Sequence, residues 1–123
     1  MTNYRRGVIT VPGSLPSMNE IIAASKKHWA QYSNMKKENT EAVAWVAKGQ
    51  ELHRRVIVEC TWYCGNKRKD PDNVQAGVKF VLDGLVEAGV LENDGWQQVA
   101  GIVHRFEIDR DNPRVEIHLR EVV

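Results

Sequence analysis

The sequence predicts an α+β fold, a single mixed β-sheet with helices packed on it in the order β-αα-β-α-β-β. Three observations predict it. Residues 54–63 alternate strongly, with Val56, Val58, Cys60 and Trp62 on one face of a strand and Ile57, Glu59, Thr61 and Tyr63 on the other. Residues 74–89 change period, so that Val74, Val78, Val81, Leu82 and Leu85 share one helical stripe. Residues 98–108 and 114–121 then return to alternation.

The elements follow in chain order. Tyr4 to Val11 alternates loosely and stops at Pro12-Gly13, the pattern of a first strand ending in a turn. Ser17-Met18-Asn19-Glu20 matches a capping box, so a helix is expected from Met18 through Tyr32. A second helix is expected from Met35 to Lys48, closed by Gly49. In these helices Trp29, Tyr32, Val43 and Trp45 are expected to be packing residues. The strand over 54–63 leads into Gly65-Asn66 and a basic run. The next helix is expected to stop at Gly89. The last two strands read as arms of a hairpin turning at residues 109–113, with Val115, Ile117 and Leu119 facing the core.

With 123 residues, the chain is expected to form one domain over 1–123. Apolar residues make up 42% and charged residues 27%, a globular profile that excludes a disordered chain. No apolar run approaches the roughly 20 residues that span a bilayer. The N-terminal apolar run is too short for a signal peptide, so a cytoplasmic protein without membrane partners is expected. Cys60 and Cys64 lack the paired spacing of a zinc site and are expected to be reduced. His28, His53, His104 and His118 are scattered and form no ligand pair at helical spacing. The net charge is only +1, but residues 1–69 carry 12 Lys/Arg against 5 Asp/Glu, while residues 70–123 carry 5 against 11. That asymmetry suits a basic surface for a polyanion beside an acidic site, unless folding interleaves the two halves.

The stretch KRKDPDN, Lys67 to Asn73, lies where the strong strand hands over to the helix. Asp70 and Asp72, two apart in extended backbone, can point to one side. Asp72 or Asn73 also suits a helix N-cap, so capping and metal binding compete for the same residues. An EF-hand is excluded, because the next ligand position is Val74 and the required glycine is Gln75. Oxygen-only ligands favour magnesium or manganese over zinc. Glu92 and Asp94, in the loop after the helix, are further candidate acids. Yet the helix advances ~24 Å from Asn73 to Gly89 at 1.5 Å per residue. An acid beyond it returns only if the next strand runs back, or if a second subunit supplies it. Lys79 leans toward the aspartate end of the helix, where it could stabilise charge on a phosphate, or it pairs with Asp83 one turn on.

These residues resemble the RusA family of Holliday junction resolvases. The resemblance rests on KRKDPDN, the helix carrying Lys79 and Asp83-Gly84-Leu85, and the AGVLEND loop followed by QQV. It is densest over residues 67–99 and extends to LPSMNE near the start, similar to the family's Pro-x-x-Asn element. It implies a dimeric, metal-dependent endodeoxyribonuclease that cuts four-way DNA junctions by paired symmetric nicks, in recombination and repair. Asp70, Asp72 and Asp94 match the family's metal-binding triad for Mg²⁺, with Mn²⁺ as a substitute, and Lys79 its catalytic lysine. Lys69 and Asn73 match positions tied to DNA binding or catalysis, and Lys67 and Arg68 are expected to hold the phosphate backbone.

The sequence departs from the family pattern in three places. Asn73 and Lys79 stand about one turn further apart, Asn93 replaces one acid of a common pair, and Lys69 stands where arginine is expected, without arginine's bidentate grip. Two other functions compete with resolution of junctions. One is a DNA-binding or scaffold protein whose aspartates only cap a helix. The other is a nuclease for other branched DNA.

Overall fold

The computed structural model describes residues 8–122. Its elements are β1 (Val8–Pro12), α1 (Met18–Lys27), α2 (Trp29–Ala47), β2 (Val56–Cys64), α3 (Pro71–Val74), α4 (Val78–Glu87), β3 (Val99–Ile108) and β4 (Arg114–Glu121). A 3-10 turn over Gln75–Gly77 joins α3 to α4. The fold is the expected α+β arrangement in the expected order. Residues 4–7 of the predicted first strand lie outside the described residues.

One four-stranded sheet runs in the order β1-β4-β2-β3. β4 is antiparallel to both β1 and β2, whereas β2 and β3 are parallel. The predicted β3–β4 hairpin is therefore corrected: β2 lies between its two arms. The connection at residues 109–113 instead bridges the end of β2, where the Asp109 N–H donates to the Cys64 carbonyl at 2.8 Å. β2 takes the centre because its helix-facing side chains are uniformly apolar and can be covered on both flanks.

The core forms on one face of the sheet. Val56, Val58, Cys60 and Trp62 of β2 pack with Ile9 and Val11 of β1 and Val115, Ile117 and Leu119 of β4, under Val43 and Ala47 of α2 and Val81 and Leu85 of α4. The two predicted strand faces are correct. The opposite sheet face is polar: Glu59 pairs with Arg120 at 2.8 Å and Arg105 at 3.7 Å, and the Arg114 guanidinium lies over the Tyr63 ring. Charges from the two halves of the sequence thus mix on this face.

Three helix expectations shift, the first being that α2 begins at Trp29, not Met35. The first helix stops at Lys27, not Tyr32, because His28 is extended (φ −165°, ψ 133°) and its Nδ1 accepts the Ala30 N–H at 3.2 Å as the cap of α2. No glycine or proline marks this break. In α2 only Thr40, Val43 and Ala47 are buried, so Trp29 and Trp45, each 75% exposed, are not the packing residues expected. They lie off the buried stripe. Gly89 does close α4: with φ +77°, it donates to Val86 while Val90 donates to Leu85, which satisfies the last carbonyls.

Glycine is required where α4 meets α2. A Cβ built on Gly84 would lie 2.5 Å from Cβ and Cγ1 of the buried Val43. Gly84→Ala is expected to cost about 2 kcal/mol through overpacking. Equilibrium denaturant unfolding checks this; unchanged stability would mean that α2 shifts freely.

His104 introduces pH dependence. Trp62 Nε1 donates to His104 Nδ1 at 2.8 Å, and burial lowers the imidazole pKa from its ordinary 6.5. The unfolded chain therefore takes up this proton at higher pH than the fold does. The contribution is complete above 6.5 and is lost as pH falls through the lowered folded value. Melting temperature should fall in that acid window, and His104→Gln should remove this part of the slope.

Candidate active site

The KRKDPDN stretch sits at the carboxyl end of the central strand. β2 ends at Cys64, and Asn66 Oδ1 accepts the Arg68 N–H at 2.9 Å, which turns the loop back toward the helix layer. Asp70 is extended (φ −71°, ψ 155°) and starts α3, its carbonyl accepting from Asn73 and Val74 at 3.0 and 3.1 Å. Pro71 follows at the first helical position, where its fixed φ and missing N–H cost nothing. The cap is thus Asp70, not Asp72 or Asn73 as expected. Its carboxylate makes no capping hydrogen bond, so the cap is a backbone one. The side chains of Asp70 and Asp72 are exposed.

The start of α1 is fastened to this segment. Asn73 Oδ1 accepts the Asn19 N–H at 3.0 Å, and Lys69 Nζ meets Glu20 Oε1 at 2.7 Å. Glu20 also reaches back to the Ser17 N–H at 3.0 Å, as the capping box predicted. The Lys69 hydrogen bond holds the Glu20 carboxyl below its usual range. Lys69 and Asn73 therefore have structural partners. Lys67, Arg68 and Lys79 are exposed and have no ion-pair partner among the described residues.

The Lys79–Asp83 pair does not form, and Asp83 Oδ2 is buried without a hydrogen-bond partner. Lys79 stands two turns beyond Asp72, ~10 Å along the axis, and helical side chains lean toward the N-terminus, which here is the aspartate end. The 3-10 turn between them packs tightly, since a Cβ on Gly77 would lie 3.0 Å from the Trp62 ring.

Asp94 lies elsewhere. Its loop is tied to the beginning of β2: Val56 donates to the Gln98 carbonyl at 2.8 Å and His53 to that of Val90 at 2.9 Å. β2 separates this end from Asp70 by ~26 Å at 3.3 Å per residue. Asp94 is exposed, and its N–H donates to Asn93 Oδ1 at 2.8 Å. Among the described residues no three His, Cys, Asp or Glu side chains gather closely enough to hold a metal. Asp70 and Asp72 nevertheless suit magnesium, which binds through one or two carboxylates and keeps water and phosphate as its other ligands.

The chain matches the family model of the endodeoxyribonuclease RusA over residues 12–120. It belongs to the RusA family. Membership implies a nuclease of the Holliday-junction-resolving class, and nucleases of this family generally depend on a divalent metal. No curated protein matches the chain. No helix among the described residues is long and apolar enough to cross a membrane.

Sequence reasoning missed the surroundings of Asp70. β3 returns along β2 and brings Phe106, Glu107 and Ile108 beside the loop. Together they form a groove of about 700 Å³, with Val74, Phe106 and Ile108 as apolar lining and Lys67, Lys69 and Asp70 among its polar residues. Only the parallel register, which periodicity does not encode, could have found them.

Asn73→Ala removes the acceptor that seats α1. Exchange of the Asn19 amide hydrogen should quicken about tenfold or more, with a stability loss of about 1 kcal/mol. Unchanged exchange would show that α1 is held by other contacts.

Proposed function

We infer that this RusA-family protein is a metal-dependent homodimeric endonuclease that resolves four-way DNA junctions by paired symmetric nicks, in cytoplasmic recombination and repair. The observation that carries this reading is the pair of carboxylates, Asp70 and Asp72, free of capping bonds at a braced strand–helix junction.

Asp70 and Asp72 hold Mg²⁺ or Mn²⁺, and Asp94 completes the site from the second subunit, since its own sheet end lies too far away. When bound, the metal polarises the phosphate and activates a water for hydrolysis of the phosphodiester. Lys79, unpaired and leaning toward the aspartates, holds the phosphate oxygen that gains charge. Lys67 and Arg68 draw in the flanking phosphates, so binding weakens steeply with salt and reads shape before sequence. Lys69 and Asn73 support these contacts from their bonds to α1, each keeping further donors for the backbone. A two-fold dimer suits a junction with near two-fold symmetry, one active site for each strand of a pair.

The test is cleavage of a labelled synthetic four-way junction with Mg²⁺, beside linear duplex and a flap. Wild type should nick the junction in pairs, and Asp72→Asn or Asp94→Asn should each lower the rate about a hundredfold or more. Equal mixtures of the two variants should regain roughly a quarter of wild-type nicking, as single nicks, because half the re-formed dimers hold one intact shared site. No recovery would place the whole site in one subunit. Wild type that binds but never cuts would leave a DNA-binding protein, and equal cutting of flaps would move the substrate to branched DNA in general.

A further inference from the structure

The groove beside Asp70 offers more than a phosphodiester needs. Phosphate, metal and water are polar, and Lys67, Lys69 and Asp70 supply charges for them. The same groove also presents Val74, Phe106 and Ile108, and Ile108 is 44% exposed. Apolar side chains left open to water beside a charged site point to a ligand with a flat apolar part. The rings nearby are already ordered for one. Trp62, His104 and Phe106 form a series, with centroids 6.0 and 6.3 Å apart and interplanar angles of 23° and 20°. His104 is fixed in it, because Trp62 Nε1 can only donate and so holds His104 Nδ1 as its acceptor. Phe106 is the member of the series that lines the groove. Trp96, two residues after Asp94, is another open ring at 93% exposure, but its loop is tied to the other end of β2.

We propose that the groove takes one unstacked nucleobase of the strand being cut, laid against Phe106, while Lys67 holds a flanking phosphate at the Asp70 site. This base site rests on the nuclease reading above and adds how a branch point is told from linear duplex. Taking a base out of a paired, stacked duplex is costly, and least so where its pairing is already broken. At a branch point the stack is interrupted, so extraction there is easier than in linear DNA. Stacking on Phe106 offsets what remains, and it does so for any base, because every base has a π-face. Branched DNA is then selected through the ease of deforming the substrate, without a hydrogen bond to a base edge.

Equilibrium binding of the full chain to fluorescent four-way junctions tests it, with Ca²⁺ in place of Mg²⁺ so that the strands stay whole. A single mismatch is moved through the two pairs on each side of the branch point. At one position wild type should bind about tenfold more tightly than to the matched junction, since the pairing there is already broken. Removing that base, to leave an abasic site, should lose the gain. Phe106→Leu keeps an apolar side chain in the fold but removes the ring, and the gain should fall to about twofold or less. Ile108→Asp, at an exposed position, should lower it likewise with little change in melting. Lys67→Gln should weaken matched and mismatched junctions alike and keep the ratio, as loss of a phosphate contact does. Trp96→Ala should also keep it. No gain at any position, or a gain that survives both groove variants, would overturn the base site and leave the resolvase reading standing. So would a gain lost in Trp96→Ala and kept in Phe106→Leu, which would move the base to the other end of the sheet. A Phe106-dependent gain in a protein that never nicks with Mg²⁺ would support the base site and sink the resolvase reading. A chain that binds no junction would end both.

Discussion

β2 and β3 run parallel, and the layout of the site depends on that pairing. Parallel neighbours cannot be joined by a tight turn, so the chain must travel from the end of one strand back to the start of the next. Residues 65–98 make that journey through α3, the 3-10 turn and α4. The acids that open the crossover and the one near its close are therefore at opposite ends of the sheet by construction. No side-chain rotation closes a gap as long as β2. What the return strand does deliver to Asp70 is its own far end, with Phe106, Glu107 and Ile108.

Around the two aspartates the backbone is held from several sides. Pro71 fixes the first helical residue, Asn73 and Lys69 bind the start of α1, and Gly77 lets the helix settle against Trp62. The backbone that carries the two carboxylates is thus already set, although the carboxylates themselves are exposed and unbonded. The same bracing uses up charge. Glu20 engages Lys69, so Lys67, Arg68 and Lys79 are left without ion-pair partners among the described residues. The basic run thus divides into one lysine that holds the protein together and two residues available to a polyanion.

Much of this fold was legible in the sequence. The alternation of 54–63 placed Val56, Val58, Cys60 and Trp62 on the buried face, Gly89 marked the end of α4, and Ser17–Glu20 announced α1. These signals are local: a period, a left-handed glycine, a side chain three residues away. The errors were non-local or unpunctuated. Two alternating segments five residues apart look like a hairpin whether or not a third strand separates them. The break at His28 uses its own ring as the cap, which no glycine or proline advertises. Trp29 and Trp45 look like core by composition, and only the orientation of α2 puts them outside. In the site, Asp70 and Asp72 were visible as a motif, whereas the separation of Asp94 depends on strand order.

Three features of the isolated chain are incomplete together: an open ten-residue edge, an indole in water, and an acid far from its expected companions. The edge is β3 itself, and the indole and the acid both lie in the loop just before it. The homodimer proposed above would match the substrate class of the family, since a junction offers two equivalent strands to two equivalent sites. In such an assembly a lone subunit lacks a full set of acids. On the shared-site reading proposed above, cutting would begin only after both subunits are in place, which would favour two nicks on one junction over stray nicks elsewhere.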